Sequence, residues 1–460
     1  MLQTWRERLI LVLLAALPFH ALGVTVLTRL VDGPNQPPMG VLALWKEALL
    51  AFVLLLALID IVRAGRPRDA LRADRLDFAV LTLALALLLA SQLAGVPLAQ
   101  AAYGIRYDLV PLAAFVVLRR VPWSGDFHRL APFVLAWAAG LAALYALITL
   151  VLPEAAFRLL GYSDLHSLYV PGRPIAAFQQ IGGTALRRLQ GPMSGPNQFG
   201  IWLAAMLPLV LTLRPNVRRF LAPALLFAIV LTFSRAAWIA TAAILVIAMW
   251  PQLRRLSVAA VTTLCIGVLA VSVATLLFFP SVILRVESTV GHLRNPLEAA
   301  GIMLREPLGR GLGTAGPAHN RVADACVFQA EGSDAAWALP HQDLCVFVGS
   351  EQVQPVGRAC DCPLLPENWY LQLGVEGGWI AFAAFLVLVV LSLRKLRAER
   401  SPVFLSLLAV SIAALFLHAW EDAAVAYTTW IAVAVTLRVT LPVSTARRTG
   451  TASSPDGSSG

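Results

Sequence analysis

The sequence predicts an all-α polytopic membrane protein, with about twelve transmembrane helices and a large loop before span ten. Three observations carry that prediction. Charged residues make up 13% of the 460 residues against 58% hydrophobic ones, and mean hydropathy is +0.74. A soluble domain carries about 25% charged residues, so this chain has too few to clothe a water-facing surface. Apolar stretches of about 18 residues or more, long enough for a helix to cross the hydrocarbon core, recur along the sequence. Finally, the net charge of +10 is mostly arginine gathered in short loops, a pattern that orients membrane helices; nothing resembles a nucleic-acid module.

In chain order the spans fall at about 9–30, 41–62, 77–95, 105–118, 130–152, 198–213, 220–233, 236–250, 257–280, 369–392, 402–419 and 423–440. The charged start Met1–Arg8 leads into an apolar run, and Pro18, Phe19 and His20 make no small-residue cleavage site, so the segment reads as a retained first span. Basic loops follow spans two (Arg63, Arg66, Arg68, Arg72, Arg75), four (Arg119, Arg120, Arg129), six (Arg214, Arg218, Arg219), eight (Arg254, Arg255) and ten (Arg394, Lys395, Arg397, Arg400). All fall on one side of a twelve-span chain together with both termini, and the positive-inside rule makes that side cytoplasmic. Residues 1–280 then hold spans one to nine with an outer loop at about 153–197; 281–367 form a partly ordered outer loop domain; 368–440 hold spans ten to twelve; and 441–460, Ser/Gly-rich from Thr449, form a disordered cytoplasmic tail. No internal repeat is visible, so the inverted-repeat signature of many transporters is missing.

Cys265 lies in span nine, while Cys326, Cys345, Cys360 and Cys362 all lie in the outer loop. An even number in an oxidising compartment suggests disulfides. Of the three pairings, the one containing Cys360–Cys362 is disfavoured, because a one-residue spacer strains the bridge. The rival is a metal site helped by His319 or His341, but the spacing fits no standard zinc pattern. No metal or cofactor is expected.

The chemistry-bearing residues gather on the outer side. Arg187 and Arg188 precede Gly191-Pro192-Met193-Ser194-Gly195-Pro196-Asn197-Gln198-Phe199-Gly200, the entry to span six. Arg235, in Phe233-Ser234-Arg235, sits at a tight turn between two apolar segments. A guanidinium stays charged and can grip a phosphate through two hydrogen bonds, so these three arginines are candidates for a diphosphate pocket; the plain alternative is snorkelling to the headgroups. Asn197 is placed to cap span six. Lys46, Glu47, Arg106 and Asp108 begin spans two and four, where local pairing competes with a supporting role near a phosphate. Glu376, two turns into span ten, requires a partner that the sequence does not name.

These motifs in order resemble the bacterial O-antigen ligase/O-antigen polymerase superfamily: Arg-x-x-Gly then Pro-Asn-x-x-Gly before one span, Ser-Arg at an outer turn, a Gly-x-Gly loop at Gly309-Arg310-Gly311, and Asn368-Trp369-Tyr370-Leu371-Gln372 opening a late span. The resemblance covers roughly residues 185–392. It implies a metal-independent, inverting glycosyltransferase of the bacterial inner membrane. Such an enzyme takes a glycan from undecaprenyl diphosphate at the periplasmic face and passes it to lipid A–core, a polysaccharide or a protein. By the same resemblance, Arg188 and Arg235 bind the donor diphosphate; from its place in the chain Arg187 is a further candidate for that binding, and Asn197, Asn368, Lys46 and Arg106 are candidates for a supporting role. A histidine precedes the Asn-x-Tyr-Leu-Gln element in typical ligases; here that position is Glu367, the candidate general base, with His319 the alternative. Two other classes remain open: a small-anion transporter, which would place ionisable groups at mid-membrane, and a non-catalytic envelope assembly protein.

Overall fold

The computed structural model describes residues 1–63, 72–163, 175–181, 186–255, 257 and 286–439. The ninth expected span with Cys265, Arg66 and Arg68 of the first basic loop, residues 281–285 and the expected tail lie outside these.

Every other expected span coincides with a helix. The first is α1 (Leu2–Ala16) and α2 (His20–Asp32), joined by a 3-10 turn at Leu17–Phe19 where Pro18 interrupts the ladder. There follow α3 (Trp45–Arg63), α4 (Arg75–Leu93), α5 (Leu98–Gly104), a π-helical turn at Ile105–Leu109, α6 (Val110–Leu118) and α7 (Gly125–Thr149). The short α8 (Glu154–Leu159) begins the loop that follows α7; α9 (Pro196–Leu211), α10 (Pro215–Leu231) and α11 (Arg235–Leu253) come after it. The large loop contains α12 (Val286–Arg305), α13 (Gly316–His319) and strands β1 (Cys326–Gln329), β2 (Cys345–Val348) and β3 (Glu351–Gln354). The chain closes with α14 (Trp369–Ala398), α15 (Val403–Ala413) and α16 (Ala423–Thr436). Among the described residues, seven helical stretches are long and apolar enough to cross a membrane, and α9, α15 and α16 are shorter apolar helices. This is a helical membrane protein with little sheet.

Helix α9 is apolar all round and is packed by α7, α10, α11, α15 and α16, as a fully buried helix must be. The fourth expected span begins earlier than its apolar run implied: Leu98–Leu118 is one helical stretch, so Arg106 and Asp108 lie within it rather than at its outer end.

The basic ends meet. Arg119 donates to the Leu437 carbonyl (2.9 Å) and pairs with Asp74 (2.7 Å) and Asp77 (3.3 Å); Arg120 pairs with Asp77 (2.8 Å) and Lys395 with Asp74 (2.7 Å). Nearby, Arg6 contacts Asp60 and the Pro122 carbonyl, and Glu7 accepts from the Ser124 amide (2.6 Å). The starts of α1, α4 and α7 and the ends of α3, α6, α14 and α16 therefore share one side of the bundle.

In the loop domain β1 pairs parallel with β2, Cys326 opposite Cys345, and β2 pairs antiparallel with β3. Cys326 is bonded to Cys362 and Cys345 to Cys360, which realises one of the two pairings that avoid the adjacent bridge. The metal alternative falls with it. Asp324, Cys345 and Cys360 do cluster, but both sulfurs are consumed in the bridge and offer no thiolate.

One feature was not foreseen. Helix α14 is broken at Gly377 (φ −123°, ψ 16°) and Gly378 (φ 68°, ψ −165°). The Pro307–Gly313 loop docks into the break: Arg310 N–H donates to the Val375 carbonyl (2.8 Å), Gly311 N–H to the Glu376 carbonyl (2.7 Å), and Trp379 N–H to the Pro307 carbonyl (3.2 Å). Irregular backbone inside a membrane protein is tolerated where other protein groups satisfy it, and here the loop does so.

Candidate functional site

The site is built around the turn from α10 to α11. Phe233 takes a left-handed conformation (φ 50°), the Thr232 hydroxyl accepts from the Ser234 amide (3.2 Å), and the Ser234 hydroxyl caps the new helix at Ala237 N–H (3.5 Å). Gly200 of α9 lies against this turn; a Cβ there would be 2.8 Å from the Ala237 Cβ and 2.9 Å from the Thr232 hydroxyl. That is the physical reason for the glycine in Pro-Asn-x-x-Gly. The turn leaves Arg235 at the first position of α11. A cation there opposes the helix dipole, an arrangement that an anion in front of the helix relieves.

Arg188 comes from the loop between α8 and α9 and is 8% exposed. Its Nε donates to the Thr232 carbonyl (3.0 Å), one terminal nitrogen to Gln179 Oε1 (3.3 Å) and the other to Asn197 Oδ1 (2.7 Å). Asn197 thus orients Arg188 and does not cap α9, whose N-cap is Gly195. Arg188, Asn197, Ser234 and Arg235 line a cleft of about 300 Å³ whose apolar walls include Ile239, Leu293, Phe416 and Leu417. His292 of α12 completes the polar lining. Glu367 stands behind it, with Oε2 against His292 Nδ1.

The other candidates lie elsewhere. Arg187 donates to the Leu152 carbonyl (2.8 Å) and stacks over Phe178 (4.3 Å) and Phe157 (5.1 Å), so it staples the outer loop and does not line the cleft. Lys46 contacts Glu47 (3.1 Å), the Ala43 carbonyl (2.9 Å) and His20 (3.2 Å), and Arg106 pairs with Glu47 (2.7 Å); this is the local pairing alternative. Asn368 caps α14 at Leu371 N–H (3.0 Å) and donates to the Leu415 carbonyl (3.0 Å). His319 is buried, its Nδ1 accepting from Leu364 N–H (3.1 Å) and its Nε2 facing Asp361 (3.6 Å). It holds the loop domain together and does not line the cleft.

A second polar cluster lies inside the bundle. Glu376, fully buried just before the break, accepts from Gly313 N–H (2.9 Å) and Ala315 N–H (3.3 Å). These backbone donors are the partners that the sequence left unnamed. Asp108 and Glu421, also buried, are close enough to interact with it. Gln372 donates to Glu421 and shares a hydrogen bond with His418 (2.8 Å). Ionisable side chains are thus buried inside the bundle as well as at the helix ends.

No protein-family model matches the chain, and no curated protein matches it. Sequence reasoning missed His292; its only signal there was an amphipathic run around one of seven histidines.

Proposed function

We propose that this chain is a multi-pass inner-membrane glycosyltransferase. In this reading it moves a glycan from undecaprenyl diphosphate to an acceptor hydroxyl at the periplasmic face, as an O-antigen ligase, a polysaccharide polymerase or a protein O-oligosaccharyltransferase does. The observation that supports it is the amphiphilic cleft. Two arginines and apolar side chains line the same cleft, the mixed chemistry of a lipid diphosphate. As the acceptor displaces the diphosphate, negative charge grows on the leaving oxygens, and preorganised guanidiniums stabilise it. The glycan, and the choice among acceptors, come from the ordered motifs alone.

The proposed topology has twelve spans, both termini and the basic ends in the cytoplasm, and the disulfide-bearing domain in the periplasm. An engineered thiol in the Arg63–Arg75 loop should resist impermeant reagents in intact cells, and one at Val356 should label. The activity is tested by incubating purified protein with an undecaprenyl-diphosphate glycan and lipid A–core, polysaccharide or protein acceptors, then weighing the products.

The broken α14 and the buried Glu376, Asp108 and Glu421 favour a second reading, a transporter, because broken helices beside intramembrane carboxyls form coupling sites in such proteins. Flux of a small anion in proteoliposomes, with no glycan transfer to any acceptor, would establish it in place of the first.

A further inference from the structure

We propose that His292, not Glu367, takes the proton from the acceptor hydroxyl, and that Glu367 is a positioning residue that holds the imidazole; this rests on the transfer reading above. His292 lines the cleft with Arg188 and Arg235, whereas Glu367 reaches it through the imidazole. With Nδ1 against Glu367, Nε2 is the ring nitrogen left for a substrate.

The placement of Glu367 is over-determined. It adopts a left-handed conformation (φ 52°), which is strained for a non-glycine residue and persists where the surroundings enforce it. Asn368 pegs the next residue to both α14 and Leu415. The His292–Glu367 contact is an apposition of atoms, without the alignment of a hydrogen bond; catalytic bonds commonly tighten only when substrate arrives. A carboxylate on the far nitrogen fixes the ring's orientation, as the third member of a triad does.

The step balances as follows. The acceptor oxygen bonds to the anomeric carbon while the bond from that carbon to the diphosphate oxygen breaks. The electron pair of the broken bond stays on the diphosphate, beside Arg188 and Arg235. The hydroxyl proton passes to His292 Nε2, and the imidazolium later returns it to water.

The test uses the full chain in detergent, with undecaprenyl diphosphate as binding probe and an undecaprenyl-diphosphate glycan plus its acceptor for turnover. His292→Ala should bind the probe within threefold of wild type, keep its melting temperature, and lose about 10²–10⁴-fold in kcat. Added imidazole should restore part of that loss, which a merely structural role would not allow. Glu367→Gln should lose less in kcat than His292→Ala, and Glu367→Asp should recover some of it. Wild-type turnover by His292→Ala overturns the proposal, as does a larger loss in Glu367→Gln with no imidazole rescue of His292→Ala, which makes Glu367 the base. If wild-type protein neither binds the probe nor turns over, the transfer reading fails and this proposal with it. Binding abolished by Arg235→Ala, with turnover indifferent to His292, defeats this proposal alone.

Discussion

Substituting Gly378 by alanine tests whether the loop docked into the break of α14 is rigidly packed. The backbone there (φ 68°, ψ −165°) lies in a region essentially reserved for glycine, where any other residue pays roughly 1–3 kcal/mol. The new Cβ would also stand 2.1 Å from the Pro307 carbonyl oxygen and 2.8 Å from the Leu308 carbonyl carbon. Those are backbone atoms, held by the hydrogen bonds that fill the break, so they cannot swing aside. Overpacking of this kind costs roughly 1–3 kcal/mol, and the sum is roughly 2–6 kcal/mol. Gly95 is the control, with a positive φ of 65° and nothing within 4 Å of its Cβ position, so Gly95→Ala should show a conformational cost alone. Unfolding in mixed detergent–SDS micelles would compare the two, and Gly378→Ala should lose at least about 1 kcal/mol more. Equal losses would refute a packed loop and leave the break filled by something softer.

Three further outcomes are expected. Arg188→Ala should destabilise the protein by roughly 2 kcal/mol or more, since it strands Thr232, Gln179 and Asn197 acceptors, while Arg235→Ala should melt within about 1 kcal/mol of wild type yet bind undecaprenyl diphosphate at least about tenfold more weakly. Non-reducing peptide mapping should recover Cys326–Cys362 and Cys345–Cys360 alone, and losing the outer bridge should cost roughly 2–4 kcal/mol. Hydrogen bonds from Arg358 and from the Asp361 amide hold the Asp324 carboxyl down at about 2. Its contribution is therefore complete above the unfolded value of about 3.9 and fades as pH falls toward 2. Because the pair is open to solvent, Asp324→Asn should cost little at neutral pH and flatten the acid limb of a melting-temperature profile.

The helices were legible because lipid demands long apolar runs, and the clustered arginines marked which ends share a side. The start at Leu98 was not, since Arg106 and Asp108 read as an outer boundary and a π-helical turn leaves no mark in composition. Of the adjacent pair Arg187 and Arg188, the sequence had no means of choosing. Successive residues of an extended segment point opposite ways, and only the fold shows that one meets Phe157 and Phe178 while the other meets the cleft. His292 and Glu367 are brought together across the whole loop domain, and no local pattern encodes such a meeting. The partners of Glu376 are backbone amides, which every residue carries.

The two bridges also bear on when this protein becomes competent. They are nested, Cys345–Cys360 inside Cys326–Cys362, and the shared segment 360–362 stands only a few residues before Glu367. Thiols stay reduced in the cytosol and pair only after export. In the proposed topology a newly made chain would insert its helices first and gain its stitched outer domain later, once oxidised. Maturation of the cleft would then report arrival in the right compartment, and a cell unable to form disulfides would carry the protein correctly inserted but unfinished.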